Sequence, residues 1–158
     1  MRVAVFGGSF DPPHVAHVKA AKYVLSTGEV DRVLVLPVFE HAFGKPLAPF
    51  VHRVAMTRLA MAGESSVQVS ALEESLGAPS RTLRTVERLG ELHPDWVCRL
   101  VVGADVLAET AKWHRFDDVV RLAPLMVLGR VGVAREDAPT PLLPEVSSTE
   151  VRQRIADL

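Results

Sequence analysis

Arg2-Val3-Ala4-Val5-Phe6-Gly7-Gly8-Ser9-Phe10-Asp11-Pro12-Pro13-His14-Val15-Ala16-His17 is the stretch whose reading decides the fold. Val3 to Phe6 are apolar in succession, which predicts a strand covered on both faces, as in a parallel sheet. The run breaks at two glycines, a serine, an aspartate and two prolines. A helical pattern then runs from about His14 to Ser26 and ends at Thr27-Gly28. A strand that hands over through glycines to a helix start makes an anion site. The backbone can approach a ligand, and the helix offers unpaired N–H groups at the positive end of its dipole. His14 and His17 stand on that first turn. Their spacing suits metal ligation, but the carboxylate of His-Glu-x-x-His is missing and no third ligand is obvious, so no protein-borne metal site is expected. Phosphate binding accounts for the glycines and the histidines together.

The remaining composition narrows the partners. The chain of 158 residues reads as a single domain, 1–158, and its 48% apolar content fits a packed core. Eighteen basic and nineteen acidic residues nearly cancel, so no global field draws the protein to nucleic acid or an anionic membrane. The single cysteine, Cys98, excludes an internal disulfide and sits in an apolar run, where a buried inert thiol is expected. A cytoplasmic protein follows from that usage. The opening apolar run is too short for a signal peptide, and no stretch is long enough to span a bilayer.

Outward from the opening stretch, Val33-Leu34-Val35-Leu36 predicts a second buried strand, stopped by Pro37. Phe39 to Phe50 reads as an irregular binding loop containing Lys45. A helix over about 51–62 carries Val54, Leu59 and Met61 as core candidates. Val67 to Val69 predicts a short third strand, and Glu73 to Arg81 a polar loop. Ser80 or Thr82 is the expected cap of a helix running to about Leu92. Trp96 to Val102 predicts the fourth strand, ending in Gly103-Ala104-Asp105. Short helical stretches near 106–110 and 117–122 precede a fifth strand, Leu125 to Leu128. Gly129 to Pro144 is rich in proline and glycine and reads as a mobile loop. Ser147 and Glu150 have capping-box spacing at the start of a last helix containing Arg152. Alternating strands and helices predict an α/β, Rossmann-like three-layer sandwich with a roughly five-stranded parallel sheet. Ligands of such folds bind beyond the carboxyl ends of the strands, where the glycine turn, the Pro37 loop and the Gly103 turn all lie.

Neither Gly-x-Gly-x-x-Gly nor Gly-x-x-x-x-Gly-Lys-Ser/Thr occurs, so neither an ordinary dinucleotide fold nor a P-loop NTPase is expected. No Gly-x-Ser-x-Gly elbow is present. Taken alone, Arg152 reads as a solvated arginine and Trp113 as a core residue, with basic neighbours that suggest a partly open position.

Gly8-Ser9-Phe10-Asp11-Pro12-Pro13-His14-Val15-Ala16-His17 resembles the signature of the nucleotidyltransferase superfamily of adenylyltransferases. Ser147-Ser148-Thr149-Glu150-Val151-Arg152 resembles its second signature, Ser-Ser-Thr-x-x-Arg. Gly103-Ala104-Asp105 followed by Lys112-Trp113-His114-Arg115 is similar to the bacterial nicotinate mononucleotide adenylyltransferases, and Ser80-Arg81-Thr82-Leu83-Arg84-Thr85 matches their substrate segment more loosely. The resemblance spans nearly the whole chain in the right order. It implies transfer of an adenylyl group from ATP to nicotinate mononucleotide, giving deamido-NAD and pyrophosphate, with Mg2+ arriving with ATP and no direct protein ligand for it. His14, His17 and Arg152 are the implied catalytic residues. The two histidines would contact the ATP phosphates, and Arg152 would hold the β/γ end. Ser148 and Thr149 would hold phosphate or adenosine, and Gly8, Ser9 and Phe10 would line the nucleotide site. Thr82, Asp105 and Trp113 would hold the mononucleotide, with the indole stacked on the pyridine ring. Lys45 joins the ATP-binding set from its place in the rim loop, not from the resemblance.

Three departures stand out. Ala16 occupies a position where the family usually has glycine, which lets adenine lie against the backbone. Arg81 and Arg84 stand where the family often has an aromatic residue and an acid. The sequence stops at Leu158, whereas family members usually continue with further helical residues. Two other readings therefore remain: a relative with another acceptor (nicotinamide mononucleotide or phosphopantetheine), or a non-catalytic nucleotide-binding relative. No oligomeric state is read from the sequence.

Overall fold

The computed structural model describes residues 1–129 and 143–158. Residues 130–142, most of the stretch expected as a mobile loop, lie outside the described residues. The strands are β1 (Arg2–Gly8), β2 (Arg32–Pro37), β3 (Val67–Val69), β4 (Val97–Gly103) and β5 (Leu125–Leu128). The helices are α1 (Val15–Ser26), α2 (Phe50–Met61), α3 (Leu72–Leu76), α4 (Thr82–Leu92), α5 (Phe116–Leu122) and α6 (Ser148–Ala156). A 3₁₀ helix spans Ala104–Lys112.

The five strands form one sheet in the order β3-β2-β1-β4-β5, and every neighbouring pair is parallel. Alternate side chains of a strand point to opposite faces. Accordingly Val3 and Val5 pack with Leu83, Val86 and Leu89 of α4 and Val119 of α5, while Ala4 packs with Ala20, Ala21 and Val24 of α1 and Met61 of α2. Helices thus cover both faces, and the expected three-layer α/β sandwich is what the chain forms. No helix among the described residues is long and apolar enough to cross a membrane.

Several local expectations differ. Residues 72–76 form α3, which takes up the first residues of the stretch read as a polar loop, and its Glu73 is 4% exposed. Leu59 is 77% exposed, and Arg53, Val54, Thr57 and Met61 form the buried stripe of α2. Those four positions follow helical spacing, and Leu59, five residues past Val54, falls off it. Val15, the first residue of α1, is exposed although apolar. Neither Ser80 nor Thr82 caps α4. Arg81 is its N-cap residue without a side-chain bond, and Ser80 Oγ instead accepts from the backbone N–H groups of Phe39 and Glu40, at 3.0 and 3.2 Å. Ser147 does cap α6, accepting from Glu150 N–H at 3.2 Å, while the Glu150 carboxylate pairs forward with Arg154 at 2.5 Å.

Candidate active site

β1 leads to β2 on one side of the sheet, while its other neighbour, β4, arrives much later in the chain. The crevice at this change of direction is where a parallel α/β sheet receives a ligand. A cavity of about 730 Å3 opens there, lined by Gly7, Gly8 and Ser9 from the end of β1 and by Val102 and Gly103 from the end of β4. Thr82 and Thr85 of α4 close one side, and Trp113 and Lys112 close another. Trp113 is half-buried and stands edge-on to Phe116, ring centroids 5.8 Å apart, which fixes the indole at the wall. At the bottom Thr85 Oγ1 donates to the buried Glu73 carboxylate.

A second group of side chains gathers on the Asp11-Pro12 turn. His14 is the N-cap of α1 and His17 its third residue. The His14 N–H donates to His17 Nδ1 at 3.1 Å, and the two rings stack with centroids 3.8 Å apart. From α6, Ser148 Oγ donates to Pro12 O at 2.8 Å, and Arg152 Nη1 donates to Asp11 O. Arg152 Nη2 also donates to Thr149 Oγ1 at 3.1 Å. The last helix and the opening turn therefore form one surface bearing two imidazoles and a guanidinium.

His17 is held neutral. Its Nδ1 accepts a hydrogen bond, which assigns the ring proton to Nε2. Its pKa is pushed down to about 3, first by burial and then by His14. An unfolded histidine takes its proton near the ordinary value of about 6.5. Below that pH the unfolded chain binds a proton that the folded chain refuses. The stability this group contributes is thus complete above about pH 6.5 and is lost as pH falls toward 3, at up to about 1.4 kcal/mol per pH unit. Urea midpoints measured from pH 7 down to pH 5 are expected to fall, and His17→Asn to flatten the fall. An equal slope in the variant would remove His17 as its source.

The structure brings Gly8, Ser9, Thr82 and Trp113 into one cavity, and His14, His17, Ser148, Thr149 and Arg152 onto one turn. Three expected residues are placed otherwise. The Phe10 side chain is 1% exposed and belongs to the core, where it meets the rings of Phe6 at 5.6 Å and His17 at 4.9 Å. Its φ of 47° is the left-handed region that a bulky residue enters only when its surroundings hold it there. Asp105 is exposed and is not among the cavity-lining residues; its carboxylate lies so close to Gly103 that an added Cβ there would meet Oδ1 at 2.5 Å. Lys45 is exposed and also stands outside the lining.

Sequence reasoning missed Glu73, Thr85 and Arg53. Thr85 lies three residues after Thr82 on the same face of α4, a spacing that could have found it. Arg53 is 1% exposed. Its Nε donates to Ala48 O at 2.8 Å, Nη1 to Ser9 O at 2.9 Å and Val38 O at 2.8 Å, and Nη2 to Phe39 O at 3.1 Å. Burial lowers its pKa, with Asp11 opposing. One guanidinium thus ties the glycine turn to the loop after β2. Among the described residues, no group of three or more His, Cys, Asp or Glu could hold a metal ion.

Comparison with known proteins adds kinship to this geometry. Residues 5–154 match the family model described as cytidylyltransferase-like. A relative from Anaeromyxobacter dehalogenans, named "Probable nicotinate-nucleotide adenylyltransferase", is 49% identical over 98% of this chain and 83% of its own. One of the same name from Myxococcus xanthus is 40% identical over 99% of this chain and 83% of its own. In fold, the chain is similar to the Plasmodium falciparum nicotinic acid mononucleotide adenylyltransferase complexed with NaAD, with a TM-score of 0.81 at 20% identity, covering 96% of this chain and 82% of that one. The motifs on the Asp11-Pro12 turn, the cavity at the switch point and these identities place the chain in the cytidylyltransferase-like family, among the nicotinate-nucleotide adenylyltransferases.

Proposed function

We propose that the protein transfers the adenylyl group of ATP to nicotinate mononucleotide, forming deamido-NAD and releasing pyrophosphate. The observation that carries this reading is adjacency. A cavity walled by Trp113 and Thr82 and lined by Gly8 and Ser9 is followed, one residue on at Phe10, by the Asp11-Pro12 turn where His14, His17 and Arg152 gather. The first suits an aromatic ring with a sugar, the second a triphosphate.

An oxygen of the mononucleotide phosphate attacks the α-phosphorus of ATP. The new P–O bond forms as the bond to the β-phosphate oxygen breaks, and pyrophosphate leaves with the electron pair. The nucleophile is already anionic, so no general base is needed. What the protein supplies is alignment and stabilisation of charge. His17 donates from Nε2 as a neutral imidazole, and His14 stands beside it on the helix start. Arg152 grips the β/γ end, with Ser148 and Thr149 at the same surface. Gly8 and Ser9 let the backbone approach the nucleotide. The core position of Phe10 supports the His17 ring. Asp105 and Lys45 would reach the substrates from the rim. ATP enters as its magnesium complex, the ion being carried on the phosphates. A cytoplasmic setting accords with the buried free thiol of Cys98.

Incubation with ATP and Mg2+ and one acceptor at a time, following pyrophosphate, tests the reading. Release is expected with nicotinate mononucleotide. Release with phosphopantetheine alone would overturn the acceptor, and ATP binding without release from any acceptor would overturn the catalytic reading.

A further inference from the structure

We propose that Arg81 is the residue that selects a pyridine carboxylate over the corresponding carboxamide, an inference that rests on the mononucleotide reading of the cavity. The cationic side chains lining that cavity come from Arg81 and Lys112, with His114 beside them. Lys112 Nζ lies 3.4 Å from Glu109 Oε1, so its charge is already shared. Among the described residues the Arg81 guanidinium makes no hydrogen bond or ion pair, which leaves its donors available. Arg84, one turn along α4, is committed instead: its Nη2 donates to Leu76 O at 2.6 Å. Arg81 is also well anchored, because its carbonyl accepts from Thr85 N–H at 3.3 Å at the start of α4.

The neighbouring hydroxyls divide in the same way. Thr85 spends its proton on Glu73 Oε1. Thr82, next to Arg81 in the lining, has a hydroxyl that makes no hydrogen bond among the described residues and so stays available to a ligand. A carboxylate accepts from every donor this corner offers, and a planar guanidinium matches it with paired, charge-assisted bonds. A carboxamide has one accepting oxygen, and its NH2 group would face further donors. Glu73 works in the opposite direction. Its Oε2 is buried without a hydrogen-bond partner among the described residues and would welcome an amide N–H. The preference of the cavity therefore turns on Arg81, which is exposed.

The test compares nicotinate mononucleotide with nicotinamide mononucleotide, by kcat/KM for pyrophosphate release and by calorimetric Kd. Arg81→Ala is expected to lower the nicotinate-to-nicotinamide ratio by at least about tenfold, the scale of a lost charge-assisted hydrogen bond. Arg81→Lys should restore part of it, keeping the charge without the fork, and Arg84→Ala should leave it unchanged. A ratio that Arg81→Ala does not move, in turnover or in binding, overturns the assignment. If the unmodified protein turns over neither mononucleotide but its Kd ratio still depends on Arg81, the transferase reading fails while the selectivity assignment stands.

Discussion

His17→Ala is expected to lower kcat by about 10²–10³-fold, equivalent to about 3–4 kcal/mol of transition-state stabilisation, while the protein remains folded. The size follows from where the donor sits. His17 is buried against Phe10 and stacked on His14, so its Nε2–H is fixed before substrate arrives and needs little reorganisation as charge builds. Its depressed pKa keeps it a neutral donor across the working range, so the rate loss should be nearly independent of pH between about 6 and 9. His17→Asn separates two roles. It can still accept from the His14 N–H, as His17 Nδ1 does, and so can keep the helix start ordered without placing a donor where Nε2 was. Rates with saturating ATP and acceptor, alongside circular dichroism, measure the effect. Near-normal turnover in His17→Ala would take His17 out of the mechanism.

The second large effect is on stability. Arg53→Met keeps the length of the side chain but strips the donors from the carbonyls of Ser9, Val38, Phe39 and Ala48. A buried acceptor left unsatisfied costs about 1–3 kcal/mol, and relaxation lets water reach some of the four, so a total loss of about 3–5 kcal/mol is expected. For a domain of this size that is roughly 10 °C in Tm. Function should suffer at the same time. The Gly8 carbonyl meets Val38 N–H at 2.9 Å beside the same knot, so loosening it frees the turn that both substrates use. KM for ATP and for the acceptor should rise together. A stability loss below about 1 kcal/mol would mean that the four carbonyls find other donors.

These expectations divide between what the sequence made legible and what it did not. The sheet was legible because β1 and β2 are continuous apolar runs and parallel strands are covered on both faces. The histidine turn and the Ser-Ser-Thr helix were legible because each is a local chemical pattern. Arg53 was not, because its partners are backbone carbonyls, which no residue type advertises. Glu73 was hidden for a related reason. A short run of polar residues reads as solvated loop, and its burial arises only when Thr85 of another helix faces it. Phe10 shows the limit of motif reading: the signature marks the position, but not that the residue takes a left-handed φ and packs its ring in the core against Phe6 and His17.

The bond from Ser148 to Pro12 has a consequence in time. It joins residues 136 apart in sequence, and Arg152 joins Asp11 across 141. On a ribosome adding about 5–20 residues per second, the opening turn waits roughly 7–28 s for the helix that completes it. During that interval β1 and α1 can already pair and pack with their near neighbours, but the phosphate grip has only its imidazole half. A nucleotide site with both halves in place is therefore a late event, complete only once residues 148–152 have been added.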